Sequence, residues 1–213
     1  FAFGNLALAH NGNLINAQVL RHELEAYGAI FQSTSDSEVV IHLIAHSRAN
    51  TLLARIIDAL SQVRGAFSIV LQTDDGIIAA RDPHGFRPLC LGRLGDTYLV
   101  ASETCAFDLL GAEIVREVEP GELVVLNDKG VTSHKPFTPV SPALCVFEYV
   151  YFARPDSKIF GANTVYATRK SLGRQLAKES PVPADIVIPV PDSGVPASLG
   201  YAEGAGIPFE LGL

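Results

Sequence analysis

The chain has 213 residues, 48% of them apolar and 18% charged, with a formal net charge of -7. That balance fits a folded core rather than a disordered segment, and the acidic charge argues against nucleic acid or an anionic membrane surface as a general partner. No apolar run approaches the ~18 residues that cross a bilayer. Three widely spaced cysteines, Cys90, Cys105 and Cys145, show no C-x-x-C pairing and point to a reduced, cytosolic setting. The chain opens on Phe1 and contains no methionine, so it reads as an internal piece of a longer protein.

Leu6 and Leu8 alternate with Ala7 and Ala9, a strand pattern that ends at Asn11-Gly12. Residues 14–27 read as a helix with Leu20, Leu24 and Tyr27 on one face. Ser35-x-x-Glu38 is a capping-box string ahead of an amphipathic helix carrying Val39, Val40, Leu43 and Ile44. Asn50 stands where it can cap a third helix, with Leu52, Leu53, Ile56, Ile57 and Leu60. The period then changes: residues 66–73, 76–81, 88–93 and 96–101 read as strands, separated by Asp74-Asp75-Gly76, Asp82-Pro83-His84-Gly85 and Leu94-Gly95-Asp96 turns. Ser102 can cap a short helix to Leu110, and strands 113–118 and 122–127 flank Glu119-Pro120-Gly121. Helices followed by an antiparallel meander predict an α+β fold with helices covering sheets.

Residues 136–142, Pro-Phe-Thr-Pro-Val-Ser-Pro, are the best domain boundary. Beyond them residues 146–152 look strand-like, and Asn163 can cap a helix over 164–178. Residues 185–190 form a short apolar strand of the kind found inside parallel sheets. Pro191-Asp192-Ser193-Gly194 turns it into a helix from Pro196 to Ala205, and a further strand begins near the end of the chain.

Two strings suggest chemistry. Asn11-Gly12 can place a side-chain NH2 and a backbone N–H around one oxygen, or can be a type I′ hairpin turn. Asp36 puts a carboxylate at a helix start, where it can bind an ammonium or simply favour the helix dipole; Glu38 reads as a helix-start charge only. Ser193, between a buried strand and a helix, can meet a phosphate or its magnesium, or be a plain turn residue. His42 and His46 lie one helical turn apart without the Glu of a zinc motif. The three cysteines sit in apolar stretches, where a buried, inert thiol is the default.

Several longer strings carry a resemblance. They are Ala9-His10-Asn11-Gly12-Asn13-Leu14, Thr34-Ser35-Asp36-Ser37-Glu38, residues 81–89 (Arg-Asp-Pro-His-Gly-Phe-Arg-Pro-Leu), residues 101–108, residues 118–122, residues 147–157 (Phe-Glu-Tyr-Val-Tyr-Phe-Ala-Arg-Pro-Asp-Ser), residues 189–194 and residues 206–213. Together, in order and over essentially the whole chain, they resemble the glutamine phosphoribosylpyrophosphate amidotransferase family. The resemblance implies a four-layer α-β-β-α sandwich of the N-terminal-nucleophile type over residues 1–138, without its first strand and nucleophile. Residues 139–213 would start an α/β type I phosphoribosyltransferase domain.

The implied activity is hydrolysis of glutamine, internal passage of ammonia, and displacement of pyrophosphate from phosphoribosyl pyrophosphate. The product is 5-phosphoribosylamine, at the first committed step of purine synthesis. Asn11 and Gly12 match the family's oxyanion hole, Asp36 the carboxylate that binds the substrate ammonium, and Ser193 the magnesium-associated serine. Cys145 matches the first cysteine ligand of an iron–sulfur cluster that only some members hold, and reads otherwise as a buried core thiol. The family's nucleophile is an N-terminal cysteine whose own amine is the base, so this piece alone is expected to be inactive; none of its internal cysteines has that amine. Family partners are glutamine, phosphoribosyl pyrophosphate and inhibitory purine nucleotides, in a cytoplasmic homo-oligomer. A glucosamine-phosphate synthase type shares the glutaminase strings but does not need residues 147–157 or the turn at Ser193. A non-catalytic relative would not need Asn11, Gly12 and Asp36 intact.

Overall fold

The computed structural model describes residues 4–161 and 163–212. The chain divides into two compact units. The first runs up to Ser102 and resumes over Val115–Leu144; the second takes Glu103–Ile114 and the chain from Cys145 onward.

In the first unit, strand β1 (Leu6–Leu14) is followed by helices α1 (Ala17–Ala26), α2 (Ser37–His46) and α3 (Leu52–Gln62), then by β2 (Gly65–Thr73) and β3 (Gly76–Arg81). With β7 (Leu123–Asn127) and β8 (Gly130–His134) they form a five-stranded antiparallel sheet in the order β1-β2-β3-β7-β8. Strands β4 (Cys90–Leu94), β5 (Thr97–Ala101) and β6 (Glu113–Glu117) form a second sheet in the order β5-β4-β6.

The period of two in β2 decides the layering. Phe67, Ile69 and Leu71 join Leu20, Leu24, Val40, Leu43, Ile56 and Leu60 in a core beneath the three helices. Val70, on the opposite face, packs with Ala79, Leu89, Leu91, Val124 and Leu126 between the two sheets. This is the α-β-β part of the expected sandwich. A buried polar hub ties strand ends to turns. Asp82 accepts from the N–H groups of Phe67, His84, Gly85 and Phe86, and Arg81 donates to the carbonyls of Gly85, Arg87 and Val118. Burial pushes the Asp82 carboxyl up against the pull of those N–H groups. The Arg-Asp-Pro-His-Gly string is thus a structural clasp.

In the second unit α4 (Cys105–Leu110), α5 (Val165–Glu179) and α6 (Val195–Ala205) are the helices. Helices α5 and α6 pack so closely that a Cβ on Gly173 would lie 1.9 Å from the Ala197 carbonyl oxygen, and one on Gly200 2.0 Å from that of Lys170.

Several sequence expectations are corrected. Residues 146–152 are not a strand: Glu148–Phe152 is a π-helical turn, whose carbonyl region is held by the buried Arg169 side chain donating to the Tyr149 and Ala153 carbonyls. Residues 185–190 make only an isolated parallel bridge, Val187 to Phe209. Tyr27 follows α1 and is exposed. Caps fall beside the expected residues: Thr51 rather than Asn50 accepts from Ala54 N–H, and Thr164 rather than Asn163 from Ala167 N–H. Thr104, not Ser102, precedes α4.

Candidate functional site

The last residues of β1 carry the site. Successive side chains of a strand face opposite ways. Leu6, Leu8 and Leu14 face the helices, and so does His10, whose ring meets the start of α2. His10 Nδ1 lies 2.9 Å from Ser37 Oγ and 3.6 Å from Asp36 Oδ1, and its side chain is 3% exposed. Asn11 points the other way and donates from Nδ2 to Ser102 Oγ at 3.2 Å. A side-chain amide has two N–H donors; Ser102 takes one and orients the other. Gly12 is paired opposite Phe67 in the β1–β2 ladder, within a continuous strand, so Asn11-Gly12 is not a hairpin turn. At Gly12 (φ +156°) a Cβ would stand 2.0 Å from the Ala66 carbonyl oxygen and 2.7 Å from His10 Nε2. Only glycine lets this backbone lie against β2 with the histidine ring in place.

Asp36 immediately precedes α2 and makes no capping bond to it. Its Oδ2 accepts from Leu14 N–H at 2.8 Å, and its Oδ1 accepts from the Ser37 hydroxyl at 3.2 Å. A carboxylate offers about four lone-pair sites, so acceptor capacity remains for a substrate cation. Asp36 lines a cleft of about 820 Å³ with Asn13, Arg21, Thr34 and Ser35. Asn11 does not line that cleft: β1 joins the two groups, and no hydrogen bond does. Glu38, expected as a bare helix-start charge, reaches back instead to Gln32 and Ser33.

A family model described as "Glutamine amidotransferase domain" matches residues 1–108. The chain belongs to the glutamine amidotransferase family. Over 210 residues it is 52% identical to the amidophosphoribosyltransferase of Bacillus subtilis, a match spanning 99% of this chain and 44% of that protein. It is 50% identical over 214 residues to the chloroplastic amidophosphoribosyltransferase 1 of Arabidopsis thaliana, covering 100% of this chain and 38% of the relative. The solved glutamine phosphoribosylpyrophosphate amidotransferase from B. subtilis, complexed with ADP and GMP, superimposes with a TM-score of 0.93 at 52% identity. That superposition covers 98% of this chain and 46% of the solved one. The amidotransferase chain thus spans less than half the length of these relatives.

Within the second unit, strings far apart in sequence meet. Glu103 Oε2 accepts from Arg154 N–H at 2.8 Å and from the Ser157 hydroxyl at 2.7 Å, and Thr104 Oγ1 accepts from Lys158 N–H at 2.9 Å. Ser193 is half-buried in the turn ahead of α6, where Gly194 rather than Ser193 holds the N-cap position. Its hydroxyl and the neighbouring Asp192 are hard oxygen donors of the kind magnesium takes. Among the described residues no three His, Cys, Asp or Glu side chains gather as a metal site. Cys145 is half-buried rather than the core thiol expected from its apolar stretch. No described helix is long and apolar enough to cross a membrane.

The sequence reading missed Ser102, His10 and Ser37. A histidine in an otherwise apolar alternation was the one available signal for His10. Ser102 lies 91 residues from Asn11, and nothing local announces that pairing.

Proposed function

We infer that the protein carrying this chain is an amidophosphoribosyltransferase. It hydrolyses glutamine and uses the ammonia to displace pyrophosphate from phosphoribosyl pyrophosphate, giving 5-phosphoribosylamine for purine synthesis. The observation that carries the reading is identity of about half the residues with amidophosphoribosyltransferases across both units, the second as well as the glutaminase unit. A relative sharing only a glutaminase half would leave residues 145–212 unmatched.

In this reading the second N–H of Asn11 and the backbone N–H of Gly12 face the oxygen of the glutamine side-chain amide as it becomes an oxyanion. Each such donor is worth a few kcal/mol of barrier. Asp36 holds the α-ammonium by a charge-assisted contact. Magnesium, when bound with phosphoribosyl pyrophosphate, neutralises diphosphate charge as the leaving group departs; Ser193 presents a hydroxyl to that complex. The ADP and GMP held by the B. subtilis relative support purine nucleotides as regulatory ligands here. A cytoplasmic homo-oligomer is part of the same proposal.

The test is a full-length protein given amide-15N glutamine and magnesium with phosphoribosyl pyrophosphate and, in a parallel reaction, with fructose 6-phosphate. The expected result is 15N-labelled 5-phosphoribosylamine, with glutamate and pyrophosphate formed in equal amounts. Labelling of fructose 6-phosphate in place of phosphoribosyl pyrophosphate would assign the chain to the glucosamine-phosphate synthase type instead.

A further inference from the structure

Residues 30–34, between α1 and α2, belong to no helix or strand, yet they lead directly into Ser35 and Asp36 at the cleft. Side chains from the two flanking helices hold this stretch. From α2, Glu38 commits both carboxylate oxygens to it. Oε1 accepts from Gln32 N–H at 2.7 Å, and Oε2 accepts from Ser33 N–H at 2.8 Å and from the Ser33 hydroxyl at 2.6 Å. From α1, Arg21 Nη1 donates to the Ser33 carbonyl at 2.8 Å, and its guanidinium lies 4.2 Å from the Phe31 ring centre. The Phe31 ring also meets His42, with ring centroids 4.2 Å apart, and His42 Nε2 lies 3.6 Å from Glu38 Oε1.

A charge placed only to favour a helix dipole needs no partners. Glu38 has three donors from two adjacent residues, Gln32 and Ser33, both upstream of the helix it belongs to. What those bonds fix is the path of the chain into Thr34, Ser35 and Asp36, three residues that line the cleft. We propose that Glu38 is a positioning residue for glutamine binding: with Arg21 it clamps residues 31–33 between α1 and α2 and thereby sets where Asp36 stands. The proposal rests on the glutaminase reading above. The same bonds keep the clamp charged: led by the Ser33 hydroxyl and the Gln32 N–H, they draw the Glu38 carboxyl from 4.5 to about 2. It is an anion throughout the neutral range.

The experiment compares Glu38→Ala, Glu38→Gln, Asp36→Asn and the double variant Asp36→Asn/Glu38→Ala in the full-length protein. The readouts are KM and kcat for glutamine hydrolysis, the rate of ammonia-dependent synthesis, and Tm. Glu38→Ala should raise the KM for glutamine roughly three- to thirtyfold, the range of coupling through a packed neighbour. Its kcat and its ammonia-dependent rate should stay within about twofold of wild type, a change confined to binding. Glu38→Gln, which keeps the shape and one acceptor oxygen, should fall between wild type and Glu38→Ala and covers the case in which the alanine variant does not fold. In the Asp36→Asn background, Glu38→Ala should add little to KM, because its effect passes through Asp36. An unchanged KM in an active Glu38→Ala or Glu38→Gln protein overturns the proposal. So does an equal rise in KM in both backgrounds, or a matched loss of the ammonia-dependent rate. Wild-type protein that hydrolyses no glutamine is a different failure: it removes the glutaminase reading and this proposal with it.

Discussion

Asn11→Ala separates an oxyanion role for Asn11 from a purely structural one most sharply. The substitution removes one hydrogen bond in the ground state, Nδ2 to Ser102 Oγ at 3.2 Å. A bond of that kind contributes about 0.5–1.5 kcal/mol to stability, so folding should survive with a modest fall in Tm. The transition state loses more. An oxyanion donor lost from a preorganised site raises the barrier by about 2.7–4 kcal/mol, a roughly 10²–10³-fold drop in kcat. Glutamine hydrolysis in the full-length protein should fall by that factor, while ammonia-dependent synthesis of 5-phosphoribosylamine persists, since its chemistry uses neither Asn11 nor Gly12. Ser102→Ala keeps the amide but frees its orientation, and should cost roughly fivefold, the value of about 1 kcal/mol. The assay is paired: glutamate release from glutamine, and synthesis from ammonium chloride, on the same preparations. Equal loss of both activities in Asn11→Ala would refute the oxyanion role and leave Asn11 a structural residue.

Other expectations follow from the same geometry. Gly12→Ala must displace the Ala66 carbonyl or the His10 ring; it should cost about 1–3 kcal/mol of stability and abolish glutamine hydrolysis, read by denaturant melts beside the activity assay. Asp36→Asn keeps an acceptor for Leu14 N–H and removes the charge, so the KM for glutamine should rise with kcat little changed, as for uniform binding; an unchanged KM would limit Asp36 to its bond with β1. Burial pushes the Glu122 carboxyl up, but Arg116, the Ser133 hydroxyl and the Glu119 N–H outweigh it and hold its pKa at about 2. Its stabilisation is therefore complete above about pH 4.5, the unfolded value, and is lost as pH falls towards 2. Glu122→Gln should flatten the fall in Tm between pH 5 and 3, and an identical acid profile would contradict the assignment. Ser193→Ala should weaken binding of magnesium–phosphoribosyl pyrophosphate in calorimetry, with glutamine hydrolysis in the absence of that ligand unchanged; wild-type affinity would leave Ser193 a turn residue.

Much of the fold is legible in the sequence because its central strands are short apolar runs bounded by turn residues. Phe67, Ile69 and Leu71 on one face of β2 and Val70 on the other put apolar side chains on both sides, as a strand covered on both faces requires. The errors have physical causes. Residues 148–152, Glu-Tyr-Val-Tyr-Phe, carry high strand propensity, yet the tertiary bonds of Arg169 hold them as a helical turn. β8 was not expected because Gly130–His134 contains a single large apolar residue, Val131; it forms because β7 offers an edge to pair with. Helix caps moved by one or two residues because Ser, Thr and Asn cluster there, and the backbone chooses among them by geometry that composition does not encode. The site was half legible: Asn11, Gly12 and Asp36 are local strings, whereas Ser102 and the Ser33 end of the Glu38 clamp depend on how the chain folds back.

The two-residue period of β1 explains how so short a segment can carry two kinds of group. His10 faces the helices and meets Ser37 and Asp36, while Asn11 faces away and meets Ser102. A one-residue slip of β1 against β2 would exchange these faces, placing an amide against the helical core and a histidine where the amide belongs. Register must therefore be pinned close to the site itself. Gly12 does this, because the close approach of Ala66 and of the His10 ring leaves no space for a side chain at that position. The flanking residues Asn11 and Asn13 carry side chains that a one-residue slip in either direction would force into that space. The glycine thus keeps the neighbouring side chains on their proper faces, and under the proposed function the same residue offers its backbone N–H to the reacting oxygen.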